Sequence, residues 1–375
     1  YPPEMEEPDE PKDIAISAKA ASKSVNQEAE TLKMSETHTV YLTPVVVDGH
    51  YNHVRPLWVG DYKIYYLSEK GGPGGDAFVP WETTRDGLSR RMMGSGSYSI
   101  STNHGGGAWS PKGRKIAFVT DKNGYWEIWS SDAGGNDINP SVPNHGGAVP
   151  NPGDLWAYNP VWSPSGELAF LTNRFGSTDI MTVSGNGNQR LITRNSSAKN
   201  NLVWSPNGNL IAFQGSGQKG NAVHVVEKNG KNLKAVTPVI KGAKMTPAWA
   251  PNSKKLALNV AGEKEDRGLW VTSIDGEKWT KVSDMGGGSV AKWSPDGDRI
   301  AMTTGDGMLY VCQLPESGKG EANLIPIIPK DRGGIVKEVD WSPDGKQLLL
   351  EWECADTKTS GIWRAELSKK EEDNK

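Results

Sequence analysis

Three histidines, His53, His104 and His145, lie in segments rich in Asn and Gly. Histidines gathered at one rim of a fold could share a metal ion or receive an anion. His53 and His104 each stand five residues before a tryptophan, Trp58 and Trp109, and Lys199 and Lys244 stand five before Trp204 and Trp249. Arg55 and Asn159 stand three before Trp58 and Trp162, with Asn201 and Glu338 at or near the same place in later copies. Trp156 and Tyr158, beside Pro150, Pro152 and Pro160, form an aromatic pair suited to stacking on a sugar ring or anchoring a protein partner. Each has a plainer reading. His53 and His104 both follow an Asn and could simply hydrogen-bond turn backbone, and Trp156 could pin its own loop. Arg55 is the one obvious anion clamp and acidic residues are scarce at these positions, so no catalytic residue is assigned and no cofactor is expected. The three histidines remain the metal candidates.

These residues can meet only if a repeating frame brings them together. Trp109-Ser110-Pro111-Lys112-Gly113 recurs as Trp162-Ser163-Pro164-Ser165-Gly166, Trp204-Ser205-Pro206-Asn207-Gly208, Trp293-Ser294-Pro295-Asp296-Gly297 and Trp341-Ser342-Pro343-Asp344-Gly345. Trp249-Ala250-Pro251-Asn252-Ser253 is a worn copy, and Trp58-Val59-Gly60-Asp61 a more degenerate one. The tryptophans are spaced 51, 53, 42, 45, 44 and 48 residues apart. A period in the forties, with short apolar runs bounded by Gly, Asp and Asn, predicts one four-stranded propeller blade per copy. In each turn Pro presets φ, Asp or Asn accepts backbone hydrogen bonds and Gly supplies positive φ.

The expected fold is therefore all-β: a seven-bladed propeller over residues 37–368, with an N-terminal arm over 1–36 and a charged tail over 369–375. The last copy runs out after its third strand. Residues 37–43, Thr-His-Thr-Val-Tyr-Leu-Thr, have strand character and are predicted to fill the gap, closing an otherwise open sheet edge. The Trp-Ser-Pro-Asp-Gly turns belong to the bottom face. The insertions at 94–107 and 140–158 belong to the top, where long loops on a rigid scaffold carry binding. Seven of the fifteen tryptophans mark blades and are read as inter-blade packing, and Trp129, Trp270 and Trp363 occupy matched third-strand positions. Trp81, Trp126, Trp156, Trp279 and Trp352 have no slot in the repeat. In the arm, small or apolar residues at 14, 18, 21, 25 and 32 predict a weak docking helix over 14–34.

Bulk properties exclude several classes. A net charge of −3 without a basic stripe argues against nucleic acid as a partner. No apolar run approaches the roughly 18 residues that span a membrane. There is no Cys-x-x-Cys-His for attached haem, no Gly-x-Ser-x-Gly elbow, no EF-hand and no Walker loop. Cys312 and Cys354 lie in adjacent predicted blades, so a disulfide is open. A start at Tyr1 without Met fits a mature exported chain.

The Trp-Ser-Pro-Asp-Gly turn followed by an apolar triplet resembles the PD40 repeat of TolB-like propellers, over about residues 52–367. TolB-type propellers usually have six blades, against seven here. Seven-bladed PD40 chains include the oligogalacturonate lyases, in which funnel histidines hold a metal. That resemblance implies a metal-dependent polysaccharide lyase using His53, His104 and His145. They also include the haem-free propeller subunit of hydrazine synthase from anammox bacteria, similar in size, blade number, arm and lack of a haem motif. That resemblance implies a non-catalytic scaffold in a hetero-oligomer, with c-type haem proteins as partners, in a periplasm-like compartment or the anammoxosome lumen. A TolB-like glycan- or protein-binding module is the third expectation.

Overall fold

The structure is a computed structural model, and it describes residues 30–33, 38–72, 77–94, 99–122, 126–142, 156–315, 322–328 and 330–369. These residues form seven antiparallel sheets, and none of them is in an α-helix. The first strands of the blades are His53–Val59, Ala108–Trp109, Ala157–Trp162, Ala198–Trp204, Lys244–Trp249, Gly287–Trp293 and Ile335–Trp341. Each contacts the first strand of the next blade, and Ile335–Trp341 returns to His53–Val59. The ring is therefore closed with seven blades, and Trp58 marks a true one.

The repeated sentence is a turn with a fixed set of bonds. The glycine N–H donates to the serine carbonyl three residues earlier in every clear copy, at 2.8–3.0 Å. The serine Oγ accepts the N–H that opens the second strand: Lys115, Glu167, Leu210, Arg299 and Gln347, at 2.8–3.0 Å. The glycines take left-handed φ between 65° and 84°, a region open to Gly at no steric cost. In the worn copy Ser253 holds this place at φ 58°, and its Oγ accepts the Asn207 N–H of the preceding blade at 3.1 Å.

The marker tryptophans tie blades together. The indole N–H of Trp162, Trp204, Trp249, Trp293 and Trp341 donates to the carbonyl just before the previous blade's tryptophan: Ala108, Val161, Val203, Ala248 and Lys292, at 3.0–3.2 Å. Trp109 donates to Arg55 at 2.9 Å. Trp58 departs from the pattern: its buried indole N–H finds no acceptor among the described residues. The backbone N–H of Trp58 instead donates to Asp340 Oδ2 at 2.8 Å. Core clusters run between blades, the largest joining blades five, six and seven to Val40 and Leu42 of the entering strand.

Closure follows the expectation and extends it. His38–Val46 pairs antiparallel with Ser360–Lys369, from His38 opposite Lys369 to Val46 opposite Ile362. Glu30–Lys33 adds a further strand outside it. This corrects the docking helix over its last turn, where 30–33 is strand; the rest of the arm lies outside the described residues, as does the tail beyond 369. Cys312 and Cys354 are free thiols. Among the described residues no helix is long and apolar enough to cross a membrane.

Candidate functional site

Bulges shape the first strands. Pairing with the second strand slips between Val54 and Leu57, between Tyr158 and Val161, between Asn200 and Val203 and between Val336 and Glu338. Arg55, Asn159 and Asn201 take left-handed φ of 53–55° there, so their equivalence in sequence is also conformational. A bulge re-aims a side chain and bends its strand. At these points Asn201 Nδ2 donates to the Met245 carbonyl of blade five at 2.8 Å, and Arg55 reaches back to blade seven.

On the top of blades two and three the structure gathers four aromatic side chains. The His104 ring centroid lies 4.7 Å from Trp126 and 6.2 Å from Tyr158. Trp156 stacks on Tyr158 at 4.1 Å and 27°. His104 is exposed, and the other three are partly exposed. His104 sits in a left-handed turn (φ 53°), with Gly105 following at φ 79°. A Cβ on Gly105 would fall 2.4 Å from Asn159 Oδ1, so glycine there lets the turn close against blade three. Beneath, the Ala157 N–H donates to the Trp126 carbonyl at 2.8 Å and bridges the two blades. Burial pushes the Tyr158 hydroxyl above its ordinary range.

The other expected site residues are dispersed. His53 is not at the rim. It is 2% exposed, bonded through Nε2 to Asp48 Oδ2 at 3.1 Å and set edge-on to Tyr66. Burial holds its pKa below the usual imidazole range despite Asp48. The five-residue spacing that seemed to equate His53 with His104 fails because blade two's first strand is only Ala108–Trp109, with His104 in the turn before it. Lys199 is also buried. Its Nζ lies 3.5 Å from Asp179 and donates to the carbonyls of Thr178, Ser197 and Asn195 at 2.6–3.3 Å, so it braces blades three and four. Lys244 is exposed at the start of blade five. His145 lies outside the described residues. No group of three His, Cys, Asp or Glu among the described residues could hold a metal ion.

Arg55 carries the second feature, at the junction of blades seven and one. Its Nη1 donates to Glu338 Oε2 at 3.0 Å, and its backbone N–H donates to Glu351 Oε2 at 2.9 Å. Glu351 is 6% exposed, in the second strand of blade seven. Burial, and then the neighbouring Glu338 carboxylate, push its pKa up to about 7. Glu338 holds Arg55 above the usual guanidinium range. Sequence reading passed over Glu351 because it lies inside an apolar run, Leu348-Leu349-Leu350-Glu351-Trp352. A carboxylate in such a run was the available signal, since Glu is almost never buried without a partner.

No family model matches the sequence, and no curated protein matches it. Among solved structures, an oligogalacturonate lyase described in complex with manganese superposes with a TM-score of 0.65 at 15% identity, covering 91% of this chain and 96% of that one. The oligogalacturonate lyase of Vibrio parahaemolyticus gives 0.64 at 13% identity over 90% and 96%. A TolB of Agrobacterium tumefaciens gives 0.46 at 14% identity over 89% and 99%. At such identities the likeness to the lyases is one of fold: the class is the seven-bladed β-propeller, a scaffold whose sites vary independently of its blades.

Proposed function

We propose that this chain is a non-catalytic propeller scaffold that holds a protein partner on the top face of blades two and three. The observation that carries the reading is the partly exposed cluster of His104, Trp126, Trp156 and Tyr158. Aromatic residues of this kind dominate binding at protein interfaces. Supporting it, three of the candidate polar residues are engaged in structure: His53 on Asp48, Arg55 on Glu338 and Lys199 on Asp179. In its narrower form the scaffold is a subunit of an exported hetero-oligomer such as hydrazine synthase, with c-type haem proteins as partners; layout alone supports that form. The test is purification from the source organism of wild type and the Trp126→Ala/Trp156→Ala double variant. A defined partner retained by wild type and lost from the variant supports the scaffold.

The reading as a metal-dependent polysaccharide lyase draws on fold likeness to lyases, one of them described with manganese. His53 could serve it only through Nδ1, since Nε2 is bonded to Asp48. Metal analysis tests it: stoichiometric Mn or Zn, with a melting shift on metal addition, would replace the scaffold reading.

A further inference from the structure

The junction between blades seven and one differs from the other six. Where they carry an indole bond between blades, none is found here among the described residues, and the tie is Arg55 between two carboxylates together with the Trp58 N–H on Asp340, whose carboxylate also takes Lys292 Nζ of blade six at 2.6 Å. Glu338 and Glu351 are direct partners in the pairing of the first and second strands. Facing residues in such a pair have Cβ atoms about 5 Å apart, so the carboxyls share one face with a single guanidinium. Two carboxylates so placed, one of them buried, do not ionise independently.

We propose that Arg55, Glu338 and Glu351 form a proton-controlled latch on the ring: with Glu351 protonated, blade one is held to blade seven, and loss of that proton loosens the junction. The protonated carboxyl can share its proton with Glu338 while Glu338 keeps Arg55. Once both are ionised, the Arg55 N–H and guanidinium still favour the charge on Glu351, but its burial and the Glu338 carboxylate outweigh them, and water entering a loosened junction relieves that cost. With Glu351 titrating near pH 7 rather than in the ordinary carboxylate range, the latch works at physiological pH. The sign follows from linkage: a carboxyl whose folded pKa is raised contributes stability that is full below its unfolded pKa, about 4.5, and is lost as pH rises to about 7.

The surrounding charged groups are few. Lys337, beside Glu338, pairs with Glu353 at 2.5 Å, and both are on the strands that carry the pair. The third strand places apolar Ile362 opposite Glu351. The first strand of blade one brings Arg55 and His53, and burial holds the His53 pKa below the usual imidazole range. Lys292 and Asp340 pair with each other.

The test measures amide hydrogen exchange at Arg55 and Trp58, corrected for intrinsic rates, from pH 5 to pH 8.5 in the full chain. Wild type is expected to lose protection at these amides by about tenfold per pH unit up to pH 7 and then level off. Glu351→Gln, which keeps an acceptor for the Arg55 N–H, should lose that slope. An unchanged slope in Glu351→Gln overturns the latch. Should that variant not fold, the carboxyl resonance of Glu351 in unmodified protein decides: a midpoint near 7 supports the latch, and one in the ordinary carboxylate range overturns it.

Discussion

Arg55 of blade one and Glu338 of blade seven stand at equivalent places, each three residues before its blade's tryptophan, and meet at 3.0 Å across the point where the ring closes. Each of the other six junctions includes an indole bond from a marker tryptophan. Here the Trp58 indole finds no acceptor among the described residues, and the ion pair with its neighbours takes over.

That substitution predicts a contrast between two conservative changes. Trp341→Phe removes a bond to the Lys292 carbonyl, so it should cost about 0.5–1.5 kcal/mol beyond the change in size. Trp58→Phe removes an N–H without a partner, so its cost should be smaller. Urea unfolding of the two variants checks the order.

Arg55→Ala should destabilise by more than an exposed ion pair's worth of about 0.2–1 kcal/mol. It removes the counter-charge from the buried Glu351 as well as from Glu338. Arg55→Ala combined with Glu351→Gln should recover part of the loss, because the buried charge is gone. A double-mutant cycle measures this coupling.

Removing residues 1–46 takes away the strand that seals blade seven. The Ser360–Lys369 edge would then be unpaired, and Val40 and Leu42, both wholly buried, would leave their cluster. The truncated chain should melt earlier and aggregate through that edge, as light scattering during a thermal ramp would show.

His53 should give stability an acid limb. Its folded pKa lies below the ordinary value, so its contribution is present above about pH 6.5 and is lost as pH falls through that value, when the unfolded chain takes the proton first. His53→Gln should flatten the fall in Tm between pH 7 and pH 5. This sign is opposite to that of Glu351, so the two residues can be separated.

The frame was legible in the sequence because each letter of the repeat has its own bond: Trp to the previous blade, Ser to the next strand, Gly to the left-handed corner. The closing strand was legible for a similar reason, since a three-stranded last blade needs a fourth. Sites were harder to read. Equal spacing from a tryptophan carries Arg55 and Asn159 to equivalent bulges, but not His53 and His104, because a short first strand in blade two changes the path. Lys199 looked available because its partner, Asp179, is in another blade. Trp126 had no slot in the repeat and proved to complete the cluster with His104.

If this propeller works by holding a partner, native protein should carry that partner with it. The most direct test is size-exclusion chromatography with mass spectrometry on protein purified from its source, wild type beside the Trp126→Ala/Trp156→Ala variant. Wild type should elute as a stoichiometric complex, and a variant that is still folded should elute as a lone chain. Wild type eluting alone, or a folded variant that keeps its partner, would contradict the partner-holding role.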